Sequence, residues 1–150
     1  MHIEELTSKA SFDFLAANRL GRLACSNQSQ PYITPIHYAY HDDWIYSFST
    51  IGQKVEWLRA NPLACVQVDL IESPQQWTSV VVLGHYEELP ATHDGFAARE
   101  FAFDQLQRKT PIWWEPGYAL TIIDGAQRPL VPIYFRIFVS KISGRRATPN

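Results

Sequence analysis

Between residues 20 and 49 the chain sets three strand-like runs around two short polar breaks, which leaves no room for a helix. LGRLACS (20–26) is short and apolar. YITPIHYAY (32–40) alternates in part, with Ile33 and Pro35 opposed to Thr34 and Ile36, and WIYSFS (44–49) is aromatic-rich. The breaks NQSQP (27–31) and HDD (41–43) carry turn chemistry, so the three runs read as an antiparallel meander.

Three further strand signals lie downstream. LACVQVDLI (63–71) alternates cleanly, and the VVVL centre of WTSVVVLGHYEEL (77–89) predicts burial on both faces. In VPIYFRIFVSKISG (131–144), Ile133, Phe135, Ile137 and Val139 share one face, and Tyr134, Arg136, Phe138 and Ser140 the other. Helical spacing is confined to three places. The first is 7–18, capped by Thr7 or Ser8. The second is GQKVEWLRAN (52–61), stopped by Asn61-Pro62. The third is opened by Thr92 and Asp94 and runs to about Arg108, with Phe96, Phe103 and Leu106 as a stripe that Phe101 widens. Residues 109–130 read as a long connection with a short strand at ALTII. Six hairpin-joined strands with few helices predict one mainly β (α+β) domain over 1–150, closed as an antiparallel barrel to remove apolar edges.

Charge narrows the partners. Thirteen Lys and Arg against fifteen Asp and Glu leave a formal net charge of -2, which argues against nucleic acid or a membrane surface as partner. Two cysteines, Cys25 and Cys65, exclude a disulfide framework and a four-thiolate zinc site. With acids early in MHIEELTSKASFDF and no apolar window of membrane-spanning length, the expected location is the cytoplasm.

The most informative chemistry lies in SFSTIGQK (47–54), where a strand runs into a helix. Ser47, Ser49 and Thr50 offer hydroxyls, Gly52 permits close backbone approach, the helix start offers unpaired N–H groups, and Lys54 adds a positive charge. This is a phosphate-binding corner; the plain alternative is capping by Ser49 or Thr50 with Lys54 solvated. The spacing is not that of a Walker loop. His37 and His41, four apart on a strand, are separated by about 13 Å, too far for one metal. No nucleophile elbow supports a serine triad. The aromatic load, including Trp77 and the Trp113-Trp114 run, suits packing or an interface, or a wall against a flat ring.

Taken in order, RLGRLACS, then QPYITPIHYAYHDDWIYSFSTIGQKVEWLRANPLACVQVD, then WTSVVVLGHYEEL resemble the pyridoxamine 5'-phosphate oxidase-like FMN-binding split-barrel superfamily, and within it the nitroimidazole-resistance-type flavin-nucleotide-binding branch. The likeness covers roughly residues 6–90 and returns at KISGRR (141–146), with less in 109–130. It implies a six-stranded antiparallel split β-barrel with flanking helices that binds FMN at a homodimer interface. By position, it sets Thr34, Pro35, Ile36 and His37 along the isoalloxazine edge. Ser47, Phe48, Ser49 and Thr50 come next at the ribityl chain and phosphate, Gln53 and Lys54 on the phosphate, and Trp77 and Ser79 near the flavin.

The implied activity is an oxidoreductase reducing a small flat acceptor, with His37 as candidate proton donor or, alternatively, a packing residue. Other readings are a non-catalytic flavin carrier, a haem-binding relative with His37, His41, His85 or His93 as axial ligand, and a deazaflavin reductase. Departures from the oxidases proper are TPIHYAY in place of an arginine-rich strand and Gly52-Gln53-Lys54 in place of Ser-Arg-Lys. A C-terminal substrate motif is also missing, with Arg145 and Arg146 left at the tail. These departures point away from vitamin B6 oxidation.

Overall fold

The protein is described from a computed structural model, which covers residues 1–108, 120–129 and 131–150. The meander forms as expected: β2 (Leu20–Asn27), β3 (Gln30–His41) and β4 (Trp44–Ser49) pair in sequence. Their turns are tighter than the polar breaks suggested. Gln28-Ser29 and Asp42-Asp43 take positive φ at both positions, the twist that matches two-residue hairpins.

The ring closes through the last strand. β9 (Ile133–Thr148) pairs with β4 along Ile133–Phe138 and with β6 (Gln76–Glu88) along most of its length. β6 returns through β5 (Leu63–Ser73) to β2. The closed order β9-β4-β3-β2-β5-β6 is the expected six-stranded barrel. Three strands lie outside it. β1 (His2–Glu5) adds to the end of β9, and β7 (Leu120–Ile123) with β8 (Ala126–Pro129) makes a separate hairpin at the expected ALTII strand. The Trp113-Trp114 run lies outside the described residues.

Inside the ring sit Leu23, Ile36, Tyr38, Ile45, Val66, Val68, Val82, Phe135 and Ile137, nearly all without solvent contact. Each large side chain so buried contributes about 1.5–3 kcal/mol. Two helices complete this interior: α1 (Ser8–Ala17) supplies Leu15, and α2 (Gln53–Ala60) supplies Leu58. Thr7 caps α1, its Oγ1 accepting from the Ala10 amide at 3.1 Å. The Tyr38 hydroxyl donates to the Leu15 carbonyl at 2.7 Å, fastening α1 to β3. Cys25 faces inward and Cys65 outward on neighbouring strands, and both are free thiols.

Two expectations change. The VVVL segment is buried on one face only: Val80 and Val82 are in the core, Val81 is half-buried and Leu83 is exposed. The last helix, α3 (Phe96–Arg108), starts later than Thr92. The Gly95 and Phe96 amides donate to the Thr92 and His93 carbonyls, so those residues form turns instead. α3 lies outside the barrel on β3 and β4 and buries Ala102 and Leu106. Phe96 and Phe101 of the expected stripe stay exposed.

Where β6 meets β9, Leu83 pairs Lys141 and Gly84 pairs Val139, so Ser140 bulges. The bulge brings backbone so close that a Cβ at Gly84 would lie 2.2 Å from the Phe138 carbonyl oxygen. Gly84→Ala is therefore expected to destabilise the protein by about 1–3 kcal/mol or more, read from its urea midpoint; an unchanged midpoint would refute the crowding.

Candidate functional site

The barrel has a seam. β3 shares a ladder with β4 only from Tyr38 to His41, whereas on its other side it pairs β2 along its length. From Gln30 to His37 the second edge of β3 pairs with no strand among the described residues. In step with the Tyr38 N–H to Arg19 carbonyl bond, Thr34 and Ile36 turn their backbone groups to β2, so Ile33, Pro35 and His37 face the second edge, the His37 carbonyl being held by Ser47. Pro31 and Pro35, which lack an N–H, are residues that tolerate such an edge. The seam begins at a defined bond: Ser47 Oγ donates to the His37 carbonyl at 2.6 Å, beside the last ladder pair, Tyr38 with Ser47.

Past that point β4 runs on through Phe48, Ser49 and Thr50 into α2. Ser49 Oγ donates to the Thr50 carbonyl at 3.1 Å, so neither Ser47 nor Ser49 caps the helix. Gly52 stands at the N-cap with no side-chain capping bond, and the first helical bond is Glu56 N–H to the Gly52 carbonyl at 3.1 Å. The amides of Gln53, Lys54 and Val55 thus have no helical acceptor, and the positive end of the helix dipole is uncovered. The φ of 173° at Gly52 is extended backbone open to any residue, and a Cβ there would meet nothing within 4 Å. The glycine leaves open space over the helix start.

Lys54 is half-buried beside the Cys25 thiol, on the inward side of the β2–β3 pair where Thr34 also faces. Burial pulls its ammonium below the ordinary lysine pKa, against a smaller opposing pull from Cys25; burial likewise raises the Cys25 thiol. No carboxylate of the described residues pairs with it. Arg22, Arg59 and Arg136, by contrast, pair with Asp69, Glu88 and Glu87 at 2.7, 2.6 and 2.9 Å. A half-buried cation beside uncapped amides and open space is suited to an anion. Gln53 is exposed at the same helix start.

The other expected residues fall elsewhere. Phe48 and His37 point outward beneath α3. Phe48 packs with Ala39 and Leu106, and the His37 ring is 3 % exposed with Nε2 3.4 Å from the Leu106 carbonyl. Of the two readings of His37, packing is the one this burial supports; its carbonyl, not its ring, lies at the seam. Trp77 and Ser79 project outward from β6, with β5 and β2 intervening before β3. There Ser79 Oγ accepts from Gln67 Nε2 at 3.1 Å, and a cavity of about 580 Å³ is lined by Trp77, Ser79, Val81, Ser143 and Arg145. One chain therefore unites β3, β4 and α2 but leaves Trp77 and Ser79 apart. His41, His85 and His93 are exposed, and no three metal-ligating side chains converge among the described residues. No helix of the described residues is long and apolar enough to cross a membrane.

A closed six-strand ring with a seam beside an uncapped helix start defines a split barrel, and known proteins share it. The chain belongs to the pyridoxamine 5'-phosphate oxidase family, whose pattern matches residues 7–146. It is 38% identical over 147 residues to an uncharacterised protein of Rhizobium meliloti (strain 1021), covering 98% of this chain and 97% of that one. It is 40% identical to an FAD-binding protein from Mesorhizobium loti of known crystal structure, with a TM-score of 0.79 and 99% of each chain covered. The fold also matches a candidate 5-nitroimidazole antibiotic resistance protein from Bacteroides thetaiotaomicron. That match has 16% identity and a TM-score of 0.67, over 97% of this chain and 89% of that one.

The position of Lys54 carries a stability consequence. Its folded pKa lies below the unfolded value of 10.5, so the charged form is disfavoured in the fold. Between those two values the unfolded state holds the extra proton, and stability rises with pH. Lys54→Met is expected to stabilise the ligand-free protein at neutral pH, with the gain shrinking as the pH approaches 10.5. Melting curves of both proteins at several pH values check this, and a destabilised variant at neutral pH would count against the unpaired charge.

Proposed function

We propose that the protein binds a flavin nucleotide in the seam and serves as an oxidoreductase for a small flat acceptor. The observation that carries the reading is the presence of two features: a β3 edge that pairs with no strand from Gln30 to His37 among the described residues, and the uncapped α2 start with Lys54. A flavin phosphate fits the second, and the polar rim of an isoalloxazine fits the first. The 40%-identical relative, an FAD-binding protein, supports a flavin as the ligand. FMN was the expected form; its phosphate and ring are shared with FAD.

A bound flavin supplies the redox chemistry, and the chain's part is placement. On the β3 edge the Ile33 N–H is the donor directed to the ring's polar rim, since Pro31 and Pro35 have none and Thr34 and Ile36 face β2. Lys54 and the amides of Gln53 and Lys54 hold the phosphate, and Thr50 stands at the approach to it. Gln53, uncharged where the oxidases proper carry arginine, leaves this grip to one cation.

We further propose a homodimer. The registers set an outward row, Ile33–Ala24–Cys65–Leu83, straight across β3, β2, β5 and β6. Ile33 and Leu83 are 61% and 48% exposed, and a largely apolar cavity of about 450 Å³ lies along the row. An exposed apolar face of this kind suits a protein partner. A second copy on it would supply Trp77 and Ser79, which one chain holds away from the seam.

The test is a visible spectrum with flavin titration. FMN is expected to bind with a shifted absorption near 450 nm, and Lys54→Ala to cost roughly 1.5–3 kcal/mol of FMN affinity while sparing riboflavin. Equal loss for both ligands would remove the phosphate assignment, and failure of any flavin to bind would remove the function. For the dimer, Leu83→Arg, at a site exposed in one chain, is expected to yield a 17.2 kDa monomer in sedimentation, and an unchanged oligomer would reject the proposed face.

A further inference from the structure

We infer that the cavity on the outer face of β6 and β9 binds a flat aromatic carboxylate, held by Arg145 and Ser79 at its charged end and by Trp77 along its ring. The site stands on this chain alone; its role as the acceptor's pocket rests on the flavin reading above. Its volume of about 580 Å³ falls within the range of small-ligand pockets. The β6–β9 register sets Ser79 directly opposite Arg145, and residues so placed on one face have Cβ atoms about 5 Å apart. Ser79 Oγ accepts from Gln67 Nε2 at 3.1 Å, which leaves its own proton to donate. Arg145 forms no ion pair with any acid of the described residues, not even with Glu5, which stands opposite it on β1 and also lines the cavity.

A guanidinium and a hydroxyl from neighbouring strands therefore converge on one spot, and neither donor is committed elsewhere. That pairing suits a carboxylate. Trp77 lies two positions from Ser79 on the same face of β6, about 7 Å along the strand, and is half-buried. A ring joined to the carboxylate spans that distance and lies against the indole. Lys141 supplies a contrast. It occupies the same face of β9, also without an acid partner among the described residues, but four positions from Arg145, about 13 Å, and outside the cavity. A merely basic surface gives the two cations equal weight, whereas a built pocket gives weight to Arg145. In the proposed homodimer the cavity is carried with Trp77 and Ser79 to the seam of the second copy, which makes the acceptor an anion.

Calorimetric titration of the intact protein with 2-naphthoate and with 2-naphthamide, its uncharged isostere, tests this. A charge-assisted contact is worth about tenfold or more, so the carboxylate is expected to bind tighter by that factor. Arg145→Gln should lower the carboxylate to the affinity of the amide and leave the amide unchanged, while Lys141→Gln should alter neither. Trp77→Leu should weaken both ligands by a similar factor. Equal binding of the two ligands by wild type overturns the inference with no variant required. So do equal losses in Arg145→Gln and Lys141→Gln, or unchanged binding of both ligands in Trp77→Leu. A carboxylate preference in a protein that binds no flavin keeps the site and removes the flavin reading. Flavin binding without that preference does the reverse.

Discussion

The hydroxyl of Ser47 fixes where β3 and β4 part. Its 2.6 Å bond to the His37 carbonyl ties the strands beside their last shared rung, and that junction sets the course of each strand beyond it. On the β3 side the Tyr38 ring fills the barrel interior and its hydroxyl reaches α1, so the strand cannot swing to find a new partner. On the β4 side Ser49 pairs with β9, and the chain is carried off into α2. The seam is a product of two strands being held by other neighbours. An isolated buried hydroxyl–carbonyl bond contributes only about 1 kcal/mol, but its position decides which backbone groups are left over.

Charge around the seam obeys a simple division. Arg22 and Arg136 sit with carboxylates on adjacent strands and Arg59 of α2 with Glu88 of β6, Arg136 also lying 3.9 Å above the Trp44 ring, and these pairs belong to the outer surface of the barrel. Exposed pairs of this type contribute little stability. Lys54 is the contrast, because it is drawn into partial burial without an acid. A protein keeps a cation in that condition at a cost, and an anionic guest relieves it.

Much of the fold was legible in the sequence because it depends on local rules. The meander came from period-two runs separated by Asn, Asp and Ser at turns, and α2 from its spacing and the Asn61-Pro62 stop. The features that escaped depend on partners distant in the chain. β1 is four exposed residues that become a strand only because the tail of β9 offers an edge. The one-sided burial of VVVL reflects the outer face of β6 lying uncovered in a single chain. The late start of α3 reflects turn bonds at Thr92 and His93 that capping statistics do not distinguish from a first helical turn. At the site, Lys54 and the helix start were readable, but the bare edge was not, although Pro31 and Pro35 within one strand signal it. The separation of Trp77 and Ser79 from the rest required the strand order.

The pairing of β1 with the end of β9 has a topological result. His2 stands opposite Thr148, and the Met1 amino group donates to the Asn150 side chain, so the polypeptide begins and finishes at one spot on the surface. A short linker across that spot would close the backbone into a circle with little loss of loop entropy. New ends could then be cut at an exposed hairpin such as Gln28-Ser29.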